Sequence, residues 1–146
     1  MKVAYFPCTQ DPPRGENIAR IMHEAIAEAQ LAEKTGFDSC LFSEHHQQAD
    51  GYLPNPILAA GLVGMKTEKI KVGTCISLLP LIHPVHVAED CAVIDQMTGG
   101  RMILGVGVGY QGVDFGGHAE KAIEHFKAAQ AELIEADKYN DSHRKK

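Results

Sequence analysis

The sequence predicts an α/β fold in which four successive βα units form half of a (βα)8 barrel, or TIM barrel, around one parallel sheet. Apolar runs rich in β-branched residues alternate with segments of helical periodicity along the chain. Residues 69–110 show this pattern most clearly, as a strand, an amphipathic helix and a second strand. A complete barrel takes about 250 residues, and this chain has 146.

The first unit consists of a short strand and a long helix. Residues 3–7 form an apolar run that ends at a proline, and we expect this strand to be fully buried. Asn17 is expected to cap the helix, whose apolar residues recur at helical spacing from position 18 onward. Gly36 can then adopt the left-handed conformation that commonly ends a helix.

The second unit starts with a strand over residues 37–42 and continues through a polar loop. Asn55 followed by Pro56 predicts the start of the second helix, because asparagine caps helices and proline fits their first turn. Small residues in the middle of this helix would let another helix approach closely.

The third and fourth units complete the predicted sheet. The third strand covers residues 70–76, and its helix begins at Pro84 and ends at Gly99. The fourth strand covers residues 102–108 and is continuously apolar, as expected for a parallel strand that is covered on both faces. A glycine-rich loop and a helix over residues 118–138 follow.

These units make one predicted domain over residues 1–138, and the polar, basic residues 139–146 are predicted to form a disordered tail. An isolated half barrel leaves two unpaired sheet edges and an open apolar interior. We therefore expect that the chain is a fragment, or that it pairs with a second copy or with a second half.

Composition and charge limit the classes of function. The formal net charge of −5 argues against broad binding to nucleic acid or to anionic membranes. We expect neither a signal peptide nor a membrane span, because no apolar run has the required length. Four cysteines without a CxxC pair are expected to be buried free thiols of a cytoplasmic protein: Cys8, Cys40, Cys75 and Cys91.

The clearest chemical feature is the run Glu44, His45 and His46, directly after the second predicted strand. In βα barrels the reactive groups come from the carboxyl ends of strands and from the loops that follow. Histidine titrates near neutral pH and can act as a general acid or base, with a neighbouring carboxylate to orient it. The alternative is a loop cap or a surface pair with no chemical role.

Two further patterns have better structural explanations. His83 and His86 suggest a metal site together with the earlier histidines, but no carboxylate or cysteine completes a ligand spacing, so no metal is predicted. The segment GVGVGYQG, residues 105–112, is similar to a dinucleotide fingerprint, but its glycines do not lie in the first strand-to-helix turn of a βαβ unit. We expect them to allow close packing at the barrel mouth.

Three segments, in this order, resemble the bacterial luciferase-like monooxygenase family of flavin- or deazaflavin-dependent (βα)8 enzymes: EAQLAEKTGFDSCLFSEHH, NPILAAGLVGMKTEKIKVGT and LPLIHPVHVAEDCAVIDQMTGGRMILGVGVGY. The resemblance covers roughly residues 25–115. It corresponds to the N-terminal half of the family's barrel, and it implies the same fold as the periodicity does.

The resemblance also implies roles for individual residues. His45 corresponds to the family's acid/base histidine, which works beside the flavin and stabilises the peroxyflavin intermediate, and Glu44 would contact the cofactor. The family's non-prolyl cis peptide, which supports the flavin ring, falls at the bond between Cys75 and Ile76. Asp114 corresponds to an aspartate that influences flavin binding in luciferase.

Val108 and Tyr110, at the end of the fourth strand, complete the predicted cofactor-binding residues. The match departs at Val108, because bacterial luciferase has a flavin-contacting arginine there. The second and third helices resemble the family's dimer interface. We therefore expect a homodimer or a higher oligomer, formed through these helices or through the open sheet edges.

The activity that the resemblance implies is a flavin-dependent oxidation. Reduced FMN and O₂ would act on a small organic substrate such as an aldehyde or an alkane. One alternative is an F420-dependent oxidoreductase that transfers hydride. The other is a non-catalytic half-barrel module that forms homo-oligomers and binds no cofactor.

Overall fold

A computed structural model describes residues 1–116 of the chain. Four strands alternate with three helices in these residues: β1 (Ala4–Tyr5), α1 (Ile18–Thr35), β2 (Ser39–Phe42), α2 (Pro56–Gly64), β3 (Lys71–Leu78), α3 (Pro84–Thr98) and β4 (Met102–Gly107). Short 3₁₀ turns follow β3 at Leu79–Leu81 and β4 at Gly112–Phe115. The predicted last helix and tail, residues 118–138 and 139–146, lie outside the described residues.

All four strands pair in parallel in one sheet, in the order β1-β2-β3-β4. The predicted parallel α/β architecture is confirmed, although β2 begins only at Ser39 and β3 continues to Leu78. Helix α2 packs against β2 and β3 and contacts both neighbouring helices. Because the strands are parallel, their carboxyl ends meet at one edge of the sheet, which is where the predicted reactive residues lie.

The core lies between β2, β3 and the helices α1 and α2. Small residues let the helices approach the sheet and each other, and a β-carbon on Gly61 would lie only 3.2 Å from Ile94 Cγ1 on α3. Branched and aromatic side chains fill the remaining space. The buried residues of this core include Ala25, Ala29, Cys40, Phe42, Ala59, Ala60, Val63 and Val72.

The expected burial of the two outer strands is wrong. β1 has only two residues, and Val3 and Phe6 beside it are 39% and 48% exposed. β4 contains no fully buried residue. Both are edge strands within residues 1–116, so each has no neighbouring strand on one side. An apolar run does not distinguish an edge strand from a central one.

The helix ends follow the predicted capping residues with one exception. Asn55 Oδ1 accepts a hydrogen bond from the Leu58 backbone N–H at 3.0 Å, and Gly36 ends α1 in the left-handed conformation. The expected cap of α1 by the Asn17 side chain is wrong, because that side chain makes no capping hydrogen bond. Its backbone N–H instead donates to Asp11 Oδ2 at 2.7 Å.

The Arg101 guanidinium holds together the amino-terminal edge of the sheet, opposite the carboxyl ends of the strands. It donates five hydrogen bonds of 2.7 to 3.1 Å. Their acceptors join the end of α2, the start of β3 and the end of α3. They are the carbonyl oxygens of Gly64, Thr67, Ile70 and Thr98, and Thr67 Oγ1.

The Glu33 carboxylate supports the same edge. Its Oε1 accepts from three successive backbone N–H groups, of Glu68, Lys69 and Ile70, at 2.9, 2.6 and 2.8 Å. Burial raises the pKa of Glu33, but the three N–H donors and the charge of Arg101 outweigh burial and hold that pKa below its ordinary value.

All four cysteines are free, but the expectation that all are buried is wrong. Cys40 is buried, and burial raises the pKa of its thiol to about 12. Cys91 is partly buried, whereas Cys8 and Cys75 are exposed, because they lie in the loop beyond β1 and at the open strand-end edge. Across residues 1–116 no helix is both long and apolar enough to cross a membrane.

Candidate active site

The ends of β2 and β3 and the loop after β4 enclose a cavity of about 190 Å³. It is lined by Ser43, Glu44, His45, Cys75, Ile76, Leu78, Gly109, Tyr110 and Asp114. A larger hollow of about 450 Å³ lies at the amino-terminal edge of the sheet. Reactive groups of βα barrels occupy the carboxyl-terminal edge, whereas the other edge serves stability, so the smaller cavity is the candidate site.

A bulge in β3 forms one wall of this cavity. The pairing of β3 with β4 shifts between Thr74 and Ser77, so that Cys75 and Ile76 together oppose the single residue Gly105. The peptide bond between Cys75 and Ile76 is cis, as the family resemblance implies. The Thr74 hydroxyl bridges the gap, because it donates to the Gly105 carbonyl at 2.7 Å and accepts from the Gly105 N–H at 3.1 Å.

Glycines on β4 make room for this bulge. A β-carbon on Gly105 would collide with the carbonyl oxygen of Thr74, and one on Gly107 would collide with Cδ1 of Ile76. Gly109 has a φ of 76°, and a β-carbon there would meet the Phe115 ring at 2.8 Å. The alternating glycines of this segment thus allow close packing, as predicted.

The Glu44 carboxylate is completely buried and uses both of its oxygens. Oε2 accepts from the Ser77 hydroxyl at 2.8 Å and from the Leu78 N–H at 2.9 Å. Oε1 lies 2.7 Å from Nε2 of His46. A buried carboxylate is tolerated only when it is paired and hydrogen-bonded. Glu44 therefore ties the end of β2 to the segment of β3 that follows the bulge.

The His45 ring lies between two tyrosines and a carboxylate. Its Nδ1 lies 3.3 Å from Oδ2 of Asp114, whose side chain is 1% exposed. The rings of Tyr52 and Tyr110 contact the imidazole edge to face, at centroid distances of 4.7 and 6.1 Å. Nε2 of His45 has no hydrogen-bond partner within the described part of the chain. Every buried side-chain nitrogen of residues 1–116 does have a partner, so this nitrogen is accessible to solvent.

Asp114 connects the two histidines. While Oδ2 faces His45, Oδ1 accepts from the backbone N–H of His46 at 2.8 Å. The 3₁₀ turn that carries Asp114 is thereby fixed against the end of β2. Each histidine of the pair thus faces a different buried carboxylate, His45 facing Asp114 and His46 facing Glu44.

The structure brings together six of the seven predicted site residues. Glu44, His45, Cys75, Ile76, Tyr110 and Asp114 all line the cavity. Val108 does not line the cavity. It lies just beyond β4 and is 50% exposed. Their proximity follows from the fold, whereas the roles predicted for them stay predictions.

Three residues outside the seven predicted site residues also shape the site: Ser43, Tyr52 and Ser77. Tyr52 stacks edge to face on His45, and its hydroxyl hydrogen-bonds the Ser43 hydroxyl at 2.5 Å. Ser77 donates to Glu44. Ser77 directly follows the third predicted strand and was identifiable as a strand-end residue, whereas no sequence pattern places Tyr52 beside His45.

The other predicted histidine pair has a structural role. Nδ1 of His83 accepts from the Val85 N–H at 3.3 Å and so caps α3, and the His86 ring contacts the His83 ring. Within residues 1–116, no group of three or more His, Cys, Asp or Glu side chains is arranged to hold a metal ion.

Comparison with known protein sequences identifies relatives over most of the chain. A family model described as "Luciferase-like monooxygenase" matches residues 1–137. The alkanal monooxygenase alpha chain of Photorhabdus laumondii is 36% identical over 115 residues, which are 79% of this chain and 32% of that one. The chain therefore spans about a third of the length of the curated relatives it matches.

Solved structures share the fold. The oxygenating constituent of 3,6-diketocamphane monooxygenase from Pseudomonas putida, in complex with FMN, superposes with a TM-score of 0.75 at 24% identity, over 88% of this chain and 38% of that one. An F420-dependent secondary alcohol dehydrogenase in complex with an F420-acetone adduct superposes with a TM-score of 0.59 at 27% identity, over 74% of this chain and 32% of that one.

Proposed function

The chain belongs to the luciferase-like monooxygenase family, and we therefore propose that the cavity at the ends of β2 and β3 is one wall of a flavin site. At this site a reduced flavin and O₂ would oxidise a small organic substrate, of which an aldehyde is the first to test. One observation carries the proposal: His45 and the bulge at Cys75 and Ile76 line the same cavity.

The lining residues fit the ring of a flavin. Flat aromatic rings bind against apolar and aromatic surfaces, and Cys75, Ile76, Leu78 and Tyr110 supply such surfaces here. Tyr110 is 84% exposed and is therefore available for contact. No lysine or arginine of residues 1–116 lines this cavity, so the phosphate of the cofactor would be held by other parts of the completed barrel.

FMN is the cofactor that we propose. The chain is 36% identical to an alkanal monooxygenase, a protein whose name specifies an oxygenation, and 27% identical to an F420-dependent alcohol dehydrogenase. The similarity to the alkanal monooxygenase supports oxygen chemistry. Among the solved structures, the FMN complex superposes with a higher TM-score than the F420 complex, 0.75 against 0.59, although its identity is lower, 24% against 27%. The second similarity keeps hydride transfer with F420 as the alternative, and both cofactors belong in the same experiment.

The residues of this chain would contribute orientation, proton transfer and exclusion of water. A bound reduced flavin supplies the electrons for the reaction with O₂. His45 would accept a proton at Nε2, and the Asp114 carboxylate 3.3 Å from Nδ1 would stabilise the resulting imidazolium. Tyr52 and Tyr110 would shield the imidazole from bulk water, and Glu44 would keep the bulged wall in place.

A binding experiment tests this proposal. Purified protein is mixed with FMN or with F420 and passed over a gel-filtration column, and absorbance of the cofactor is followed with the protein peak. We expect FMN to co-elute, and an Ile76→Asp variant, which places a charge against the ring, to lose it. A Leu31→Asp variant on the exposed face of α1 is the matched control.

Two results would count against the proposal. Co-elution of F420 alone would favour hydride transfer. A uniform oligomer that binds neither cofactor at high micromolar concentration would favour the non-catalytic assembly module.

We also propose that a second copy of the chain packs against α2 and α3. Between these helices lies an apolar groove of about 200 Å³, bordered by exposed residues that would remain in water in a monomer: Leu58, Leu62, Met65, Val93 and Met97. A two-fold axis would place the same surface of both copies in contact. Light scattering should give a dimer for the wild type and a monomer for Leu62→Glu, whereas a monomeric wild type would contradict the proposal.

A further inference from the structure

We propose that the two adjacent histidines are held in opposite tautomers, with the proton of neutral His45 on Nδ1 and that of neutral His46 on Nε2. Asp114 and Glu44 act as the positioning residues that select these tautomers. These proton positions belong to the site whose function is proposed above, on which this step rests, and they identify the nitrogen of His45 that can accept a proton there.

Asp114 determines the tautomer of His45. An ionised carboxylate can only accept hydrogen bonds, so a ring nitrogen that contacts it must carry the proton. The Asp114 side chain is 1% exposed, and its Oδ2 faces Nδ1 of His45 at 3.3 Å. A neutral imidazole has one protonated nitrogen. Nε2 of His45 is therefore the unprotonated nitrogen, and it is the accessible one.

Glu44 determines the tautomer of His46 by the same reasoning, but with the opposite result. Its fully buried Oε1 lies 2.7 Å from Nε2 of His46, not from Nδ1. The proton of neutral His46 is therefore on Nε2. The two imidazoles differ because one presents Nδ1 and the other presents Nε2 to its carboxylate.

Each carboxylate is fixed in orientation by a backbone N–H group. Oδ1 of Asp114 accepts from the His46 N–H at 2.8 Å, and Oε2 of Glu44 accepts from the Leu78 N–H at 2.9 Å. A backbone N–H cannot become an acceptor. The oxygen that faces each N–H is thereby fixed, and the other oxygen of the same carboxylate must face the histidine.

This fixed orientation makes each amide variant predictive. In Asp114→Asn, the amide oxygen has to face the His46 N–H, so the NH₂ group faces Nδ1 of His45. Nδ1 then has to accept, and the proton moves to Nε2. In Glu44→Gln, the amide oxygen has to face the Leu78 N–H, and the NH₂ group drives the proton of His46 from Nε2 to Nδ1.

For the reaction, the tautomer decides what His45 can do. An unprotonated Nε2 accepts a proton from a group bound in the cavity, and the resulting imidazolium keeps its Nδ1–H directed at Asp114. With the proton on Nε2 instead, the same ring could only donate at that position. The Asp114→Asn variant therefore exchanges an acceptor for a donor at an almost unchanged ring position.

The test is a nitrogen NMR measurement on the whole 146-residue chain labelled with ¹⁵N-histidine. It is made at about pH 9, where an unperturbed imidazole is neutral. Protonated and unprotonated ring nitrogens have well-separated shifts. The signals of the two rings are assigned by their loss in His45→Gln and His46→Gln. We expect the wild type to show Nδ1–H for His45 and Nε2–H for His46.

The variants then separate positioning from a merely structural role. Asp114→Asn should exchange the two nitrogen shifts of His45 and leave those of His46 unchanged, and Glu44→Gln should do the reverse. The backbone amide spectrum reports whether each variant is folded. If a variant does not fold, the wild-type tautomers still decide the question.

The same tautomer for both histidines in the wild type would overturn the inference, and so would a folded Asp114→Asn variant with unchanged His45 shifts. No flavin is needed for these measurements. Opposite tautomers in a protein that fails to bind FMN would contradict the proposed function alone. FMN binding by a protein with identical tautomers would contradict this inference alone.

Discussion

Nδ1 of His45 lies 3.3 Å from Oδ2 of Asp114, although the two residues are 69 positions apart in the sequence. The contact joins the end of β2 to the 3₁₀ turn after β4, across the carboxyl edge of β3. The site therefore exists only when three neighbouring strands are in register. Stability of the sheet and geometry of the site are consequently linked.

The Arg101 guanidinium should be difficult to replace. Arg101→Lys leaves several of five acceptors without a donor, because one ammonium group cannot reach all of them. We expect the free energy of unfolding to fall by about 2 to 3 kcal/mol, measured by urea denaturation. Arg20→Lys is the control: its ion pairs are exposed, so its effect should stay below about 1 kcal/mol.

Glu33 should contribute stability that depends on pH. Its pKa is lower in the folded chain than in the unfolded one, so its contribution is fully present above the unfolded pKa and is lost as pH falls through the folded pKa. Glu33→Gln should therefore lower the free energy of unfolding by about 1 to 3 kcal/mol at about pH 7. The difference from wild type should shrink at about pH 3.

The exposed residue Glu24 provides the control for that experiment. Its side chain makes a surface ion pair with Arg20, four residues earlier, so Glu24→Gln should have little effect at either pH. An effect of Glu33→Gln that is equal at neutral and acidic pH would show that the charge of Glu33 does not contribute to stability.

The two glycines behind the bulge should differ in their response to alanine. In Gly105→Ala the new β-carbon meets the backbone carbonyl of Thr74, and β3 has to move, so we expect a loss of about 1 to 3 kcal/mol. In Gly107→Ala it meets only the end of the Ile76 side chain, which can rotate, so the loss should be below about 1 kcal/mol.

Denaturation midpoints in urea compare these two variants directly. Equal losses of unfolding free energy in the two variants would contradict the close contact of Gly105 with the backbone of Thr74. Because rotation of Ile76 changes the cavity wall, Gly107→Ala should also weaken FMN binding while the chain stays folded.

Much of the fold could be predicted from hydrophobic periodicity and from the residues that begin or end helices. Helical spacing and the residues Gly36, Asn55 and Gly99 located the helices, because their backbone conformation depends on local interactions. The exposure of Val3 and of β4 could not be predicted in this way. Burial depends on which strands are neighbours, and an apolar run looks the same at an edge as in the centre.

The residues of the site likewise fall into those that the sequence could predict and those that it could not. Glu44 and His45 were identifiable from their position directly after a strand, and the resemblance located the cis peptide and Asp114. Tyr52 was not identifiable, because its contact with His45 requires the intervening loop to turn back at Gly51, which has a φ of 68°. The pairing of each histidine with its own carboxylate is likewise a product of the folded chain.

The most direct test of the proposed flavin site is to map FMN onto the protein by NMR. FMN is titrated into ¹⁵N-labelled chain, and the change in every backbone amide shift is followed. We expect the largest changes at His45, Ile76 and Tyr110, with little change near Arg101. Absence of changes at high micromolar FMN, or changes confined to the amino-terminal hollow or to the groove between α2 and α3, would contradict it.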